Sequence, residues 1–215
     1  MAEERRLSTG ALLRLTNGPA ANTVICVNGG QATELPGTWS STLEWLVKRM
    51  APRFPELAFA EVRYRIKSWK QLEWCVEDAR AAIDEAGGER TLLVGFSMGG
   101  AVAISAADAP TVTGVLGLAP WIFDRLELSS LRGSRLDVLH GSLDRWLPGI
   151  PGVSATLSRR GFDRARALGV PGSYELIHGG VHGLALRTRT GLLLPLPCAG
   201  AWTKRIAAQL ETFAG

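Results

Sequence analysis

At 215 residues, with 46% hydrophobic and 20% charged side chains, the chain has the size and composition of one globular domain over residues 1–215. Its net charge of +4 is spread along the sequence with no basic run interleaved with aromatics, so a nucleic-acid surface is not expected. No stretch approaches the roughly 18 unbroken apolar residues that span a bilayer. The first ten residues carry charge with no apolar core behind them, so neither a membrane partner nor a secretory signal is expected, and the cytoplasm is the expected compartment.

In chain order, residues 5–18 are expected to hold one or two strands. Residues 23–27 (TVICV) read as a strand that stops at Asn28-Gly29-Gly30, with Cys26 as a small core residue. Residues 41–50 follow with Leu43, Leu46 and Val47 on one helical face, and Pro52 stops the helix. A strand over 57–64 and a helix over 69–86, ended by Gly87-Gly88, come next. Residues 91–95 (TLLVG) are apolar without alternation, as in a strand covered on both faces. The Ala-rich segment 98–107 predicts a helix that packs close to that strand. Strands over 112–118 and 135–139 are separated by an irregular segment; a helix over 154–168, a strand over 173–177 and a helix over 201–213 complete the order. The apolar stretch 192–196 is too proline-broken for a helix and reads as a wall over a site or as packing beneath the last helix.

Strand alternating with helix predicts an α/β fold: a doubly wound, mostly parallel sheet with helices on both faces. Right-handed crossovers then bring the C-terminal ends of the parallel strands to one edge, where such sheets bind ligands. Cys26, Cys75 and Cys198 share no metal-ligand spacing and read as reduced thiols, so no metal site is expected.

The candidate chemistry lies at that edge. Gly95-Phe96-Ser97-Met98-Gly99 matches G-x-S-x-G, a pattern that this composition produces by chance about 0.2 times. What gives it weight is its place, where a buried strand stops and a small-residue helix begins. A serine raised above the sheet on so sharp a turn requires neighbours without side chains at Gly95 and Gly99. A serine hydroxyl needs a base, and the chain has three histidines. His182, in a glycine-flanked loop past the strand over 173–177, is the candidate; His178 is its rival, and His140 ends the strand before. Asp144, just past that earlier strand, is the candidate acid, ahead of Asp137, Asp124 and Asp163. The Met98 and Gly30 N–H groups are the candidate oxyanion donors. Gln31, Trp121 and Ile122 are candidate substrate contacts, with covering of the sheet end the alternative for Trp121-Ile122-Phe123. Trp39 and Trp69 also fall near this edge.

Together the V-N-G-G loop, the G-F-S-M-G-G turn, the H-G-x-x-D segment and the G-x-H-G loop resemble the α/β-hydrolase superfamily over most of the chain. The resemblance implies an acyl-enzyme mechanism with no metal or organic cofactor. It departs in two places: many relatives have His-Gly where this chain has Asn28-Gly29, and only residues 120–134 lie where a cap domain commonly sits. The chain is therefore similar to small lidless esterases and dienelactone-hydrolase-like enzymes, with serine in place of the cysteine nucleophile of the latter. The expected activity is that of a carboxylesterase-like serine hydrolase acting on small or medium apolar acyl groups of a small-molecule ester. Thioester, amide or C–C bond cleavage and a non-catalytic ligand-binding role stay open. A dinucleotide-binding protein is not expected, because no strand is followed by G-x-G-x-x-G.

Overall fold

A computed structural model describes residues 2–144 and 152–215. Strands β1 (Glu3–Arg6), β2 (Leu12–Thr16) and β3 (Asn22–Val27) open the chain, followed by the two-residue β4 (Leu35–Pro36) and helix α1 (Ser41–Met50). Then come β5 (Ala58–Arg63), the two-residue β6 (Ile66–Lys67), α2 (Leu72–Ala86), β7 (Arg90–Phe96), α3 (Met98–Ser105), β8 (Val112–Leu118) and β9 (Arg135–Gly141). Helix α4 (Ala155–Ala167), β10 (Tyr174–Ile177), the hairpin β11 (Ala185–Arg187) and β12 (Leu193–Pro195), and α5 (Ala199–Ala214) complete it.

Eight strands form one sheet in the order β1-β2-β5-β3-β7-β8-β9-β10. Every pair from β5 to β10 is parallel, while β2 pairs antiparallel with both β1 and β5. The sheet is thus mixed, mostly parallel and covered on both faces, as the alternation of strand and helix predicts. From β3 the chain steps outward to β5, then returns across β3 to β7 and continues the other way. That reversal puts a crevice between the C-terminal ends of β3 and β7.

Side-chain alternation divides the core in two. Ile25, Val27, Leu93, Val115, Leu136 and Val138 face α2, α3 and α4, whereas Val24, Cys26, Leu92, Val94, Leu116 and Leu139 face α1 and α5. Helix α3 is buried from Met98 to Ile104 and carries no polar face, because the sheet lies on one side and α2 packs on the other. The ends of the helices follow local chemistry. Ser40 caps α1 by accepting the Leu43 N–H, and Gly87, at φ 67°, closes α2 with its N–H on the Ile83 carbonyl.

Two expectations change. The helix expected from residue 69 begins with a tight turn over Trp69–Gln71, because Ser68 caps it by accepting the Lys70 N–H, and α2 starts at Leu72. The apolar stretch 192–196 does not wall the site; it forms half of a hairpin, and Leu193 packs into the core that α1 and α5 share. Its β12 pairs with β11, and the hairpin packs on α1 with Leu193 inward and Leu192 and Leu194 exposed. No helix among the described residues is long and apolar enough to cross a membrane.

Candidate active site

Ser97 stands alone between the end of β7 and the start of α3, at φ 57° and ψ −120°. For a residue with a Cβ this conformation costs of order 1–3 kcal/mol and persists only when the surroundings over-determine it. Here the Ser97 N–H donates to the Leu118 carbonyl at 3.0 Å, and its own carbonyl accepts from Gly100 at 2.9 Å and Trp121 at 2.8 Å. The adjacent glycines allow the crowding. A Cβ at Gly95 would lie 2.3 Å from the Gly99 carbonyl oxygen, and one at Gly99 would lie 2.1 Å from that of Val27. Ser97 Oγ makes no hydrogen bond among the described residues, which leaves it available in the cleft that it lines with His182.

Asp144 follows β9 in a turn closed by its own N–H on the Gly141 carbonyl. Its carboxylate is withdrawn from solvent: Oδ2 lies 2.8 Å from His182 Nδ1, and Oδ1 accepts the Val153 N–H at 3.1 Å. A second histidine stands behind it. His140 Nε2 lies 3.2 Å from Asp144 Oδ2 and 2.9 Å from the Val153 carbonyl oxygen. Both are acceptors, so Nε2 carries a hydrogen. On the other side of the ring, Nδ1 meets the Ser158 hydroxyl at 2.8 Å, which meets the Tyr174 hydroxyl at 2.9 Å. Burial alone would raise the Asp144 pKa; hydrogen bonds from His140 and His182 outweigh it and hold the carboxyl below the usual aspartate range.

The first loop lies against this turn. A Cβ at Gly29 would sit 3.3 Å from Ser97 Cβ, and one at Gly30 would sit 2.1 Å from Sδ of the fully buried Met98, so the two glycines run close against the turn. Met98 opens α3, and its N–H is one of the four that have no acceptor inside the helix. The loop is pinned from below: Tyr64 donates its hydroxyl to the Asn28 carbonyl at 2.9 Å, and the Asn28 amide donates to the Thr38 carbonyl at 2.8 Å. Above the crevice lies an open cleft of about 360 Å³ lined by residues that include Asn28, Gln31, Trp39, Lys67, Ser97 and His182. A larger groove of about 730 Å³ runs between α1 and α5 and contains none of the serine, histidine or aspartate groups described above.

No protein-family model matches the sequence, and no curated protein matches it either. Solved structures do. An α/β-hydrolase enzyme from a Medee basin deep-sea metagenome library is 15% identical, superimposes with a TM-score of 0.71, and is matched over 99% of this chain and 98% of its own. The chain has the α/β-hydrolase fold. An α/β serine hydrolase without a lid from Xanthomonas campestris is 16% identical with a TM-score of 0.59, over 85% of each chain. A thermophilic esterase from Thermogutta terrifontis, solved with propionate bound, is also 16% identical, with a TM-score of 0.65 over 100% of this chain and 94% of its own.

Within the α/β-hydrolase fold the remaining candidates take distinct places. Ser97, Asp144 and His182 come together at the C-terminal edge of the sheet. His178 is exposed beyond β10, where its carbonyl faces Cys198 Sγ. Asp137 accepts from Arg135 and from the Ser173 N–H and hydroxyl, while Asp124 and Asp163 pair with Arg160 and Arg159 on the surface. Gln31 lines the cleft, but Ile122 does not: it is fully buried against Gly161 of α4, where the close helix leaves no path to substrate. Trp121 lies beside the cleft rather than in it, its ring 6.1 Å from that of Trp69 and 4.4 Å from that of Phe123. Three residues that the structure places at this edge were not put forward as candidates from sequence. His140 had a signal in its four-residue spacing from Asp144; Tyr64 and Lys67 had none, because their importance depends on which loop folds over them.

Proposed function

We propose that the chain is a serine hydrolase that cleaves a small carboxylic ester through an acyl-enzyme intermediate. The observation that carries this reading is the 2.8 Å contact between Asp144 Oδ2 and His182 Nδ1, on the same sheet edge as a serine held at φ 57°. With Nδ1 committed to the carboxylate, His182 presents Nε2 toward the cleft as the base. Ser97 Oγ attacks the carbonyl carbon while its proton passes to Nε2, and the carbonyl π electrons move onto oxygen. That oxyanion is stabilised by the Met98 N–H at the head of α3 and the Gly30 N–H. Collapse breaks the bond to the alcohol, which leaves with the proton from Nε2. Water then attacks the acyl group on Ser97 with the same histidine as base, and the acid departs.

The lining of the cleft refines the substrate. The cleft is lined by Asn28, Gln31, Thr38, Ser40, Ser41 and Lys67, with Trp39 and Phe96 as its aromatic surfaces, a mixed lining that suits a short acyl group carrying a polar substituent. The test is a panel of short p-nitrophenyl esters, with Ser97→Ala as control. Turnover by the wild type, lost at least about 10³-fold in folded Ser97→Ala, supports the reading. Equal turnover by both would contradict it.

A further inference from the structure

Among the described residues, one cation in the cleft has no anionic partner. Lys67 ends β6, whose pairing with β4 (Leu35 opposite Lys67) holds it on the wall across which the first loop runs. Its ammonium donates to Thr38 Oγ1 at 2.8 Å and makes no ion pair among the described residues. An ammonium has three donors, so two are left over. Among the described residues, none of the others lining the cleft is an aspartate or glutamate. Half-burial pulls the Lys67 ammonium below the usual lysine range, and no nearby carboxylate acts against that. The neighbouring hydroxyls are turned to the backbone, Ser40 Oγ accepting the Leu43 N–H to cap α1 and Ser41 Oγ donating to the Ala185 carbonyl, and Thr38 Oγ1 is the acceptor that Lys67 meets among the described residues.

The wall that carries Lys67 is fixed. The Arg63 guanidinium donates to the Gly37 carbonyl, the Asn28 amide to the Thr38 carbonyl, and the Trp69 N–H to the Gln31 carbonyl. A half-buried cation held by Thr38, with no anionic partner among the described residues and in a cleft shared with Ser97, gains most from a ligand that brings its own negative charge.

Resting on the hydrolase reading above, we infer that Lys67 is a specificity residue that receives a carboxylate on the substrate, so that the preferred ester is an anionic one. The reacting carbonyl sits at Ser97 and the free carboxylate of the same molecule accepts from Lys67 Nζ. A monoester of a dicarboxylic acid has this form.

The experiment compares p-nitrophenyl hydrogen adipate with the chain-matched p-nitrophenyl hexanoate at low ionic strength, corrected for spontaneous hydrolysis. The wild type is expected to favour the adipate ester in kcat/KM by about tenfold, mainly through KM, and the preference shrinks as salt is added. In Lys67→Met the ratio falls toward one, and in Lys67→Glu it falls below one. Should either variant fail to fold, the wild type alone decides: adipate is expected to inhibit hexanoate-ester hydrolysis more strongly than hexanoate does. Turnover of both esters through Ser97 with a ratio near one, or a ratio unmoved by Lys67→Met, would overturn the role of Lys67 and leave the ester-hydrolase reading standing. Folded wild type that turns over neither ester, and whose Ser97 takes no fluorophosphonate, would overturn that reading and this inference with it.

Discussion

Ser97, Asp144 and His140 show how single side chains set the geometry of this edge. The conformation of Ser97 is held by three backbone hydrogen bonds, so replacing its hydroxyl leaves the turn intact. Ser97→Ala is accordingly expected to keep its melting temperature while losing turnover, which calorimetry beside an ester assay checks. The acid can be distinguished from its nearest rival in the same way. In the proposed mechanism Asp144→Asn reverses the hydrogen-bonding sense toward His182 and slows turnover by about 10³–10⁴-fold. Asp137→Asn disturbs only Arg135 and Ser173 and is expected to leave kcat within a few-fold. Equal losses in both would reopen the choice of acid. His140 is a positioning residue in this account, since it touches Asp144 and not the cleft. His140→Leu removes one of the two side-chain donors that favour the ionised Asp144 and leaves the Val153 carbonyl without its imidazole partner. It is expected to cost about 1–3 kcal/mol of stability and to move the acid limb of the kcat/KM profile to higher pH. A purely structural role would lower stability without moving that limb.

At the scale of elements, close approach and a buried charge cluster carry the consequences. Because a Cβ at Gly99 would lie 2.1 Å from the Val27 carbonyl oxygen, Gly99→Ala pushes α3 off β3. The expected cost is about 2 kcal/mol or more in chemical denaturation, with turnover lost alongside. Between α1, the β2–β5 pair and the β11–β12 hairpin, Glu44 meets Arg14, Lys48 and Arg187, and Glu61 meets Arg14. Burial opposes ionisation of Glu44, but Arg187, Lys48 and Arg14 outweigh it and lower its pKa from 4.5 to about 2. Ionised Glu44 therefore stabilises the fold above pH 4.5, and the contribution is lost as pH falls from there toward about 2. Glu61 is more deeply buried, and its pKa is raised despite Arg14, so its ionised form is penalised and its contribution runs the opposite way. Glu44→Gln isolates the first effect. The variant is expected to be less stable than the wild type by roughly 1–3 kcal/mol near neutral pH, with the gap closing in acid, as melting curves across that range would show.

Across the whole molecule, what could be read from sequence followed burial. The strand over 91–95 was legible because both its faces are covered, which leaves a run of apolar residues that only a sandwiched strand explains. Helix α1 was legible from one apolar face and a proline beyond its end. The β11–β12 hairpin was not: its three-residue strands turn Leu186 and Leu194 outward, and Leu192, just before β12, is exposed as well, so the apolar signal suggested burial where exposure is found. The pairing of β4 with β6 was equally hidden, since two-residue strands leave no periodicity, and with it the placing of Lys67 in the cleft. Ile122 was misplaced because chain position puts residues 121–123 on the active edge, while the packing of α4 around Gly161 draws its side chain into the core. Ser97, Asp144 and His182 were legible as an ordered set of loop residues following strands. Nothing in the sequence pattern indicated how the first loop is pinned by Tyr64, a contact between residues 36 apart.

Hydrolysis through Ser97 requires an activated hydroxyl there, and a fluorophosphonate probe reports that property by itself. The probe requires an activated serine and a cleft open to it, and makes no assumption about the natural ester. Folded wild-type protein, labelled and mapped by mass spectrometry beside the Ser97→Ala variant, is expected to carry the probe at Ser97 alone, with no labelling of the variant. Labelling of the variant to the same extent, or a folded wild type that takes up no probe at Ser97, would contradict the account.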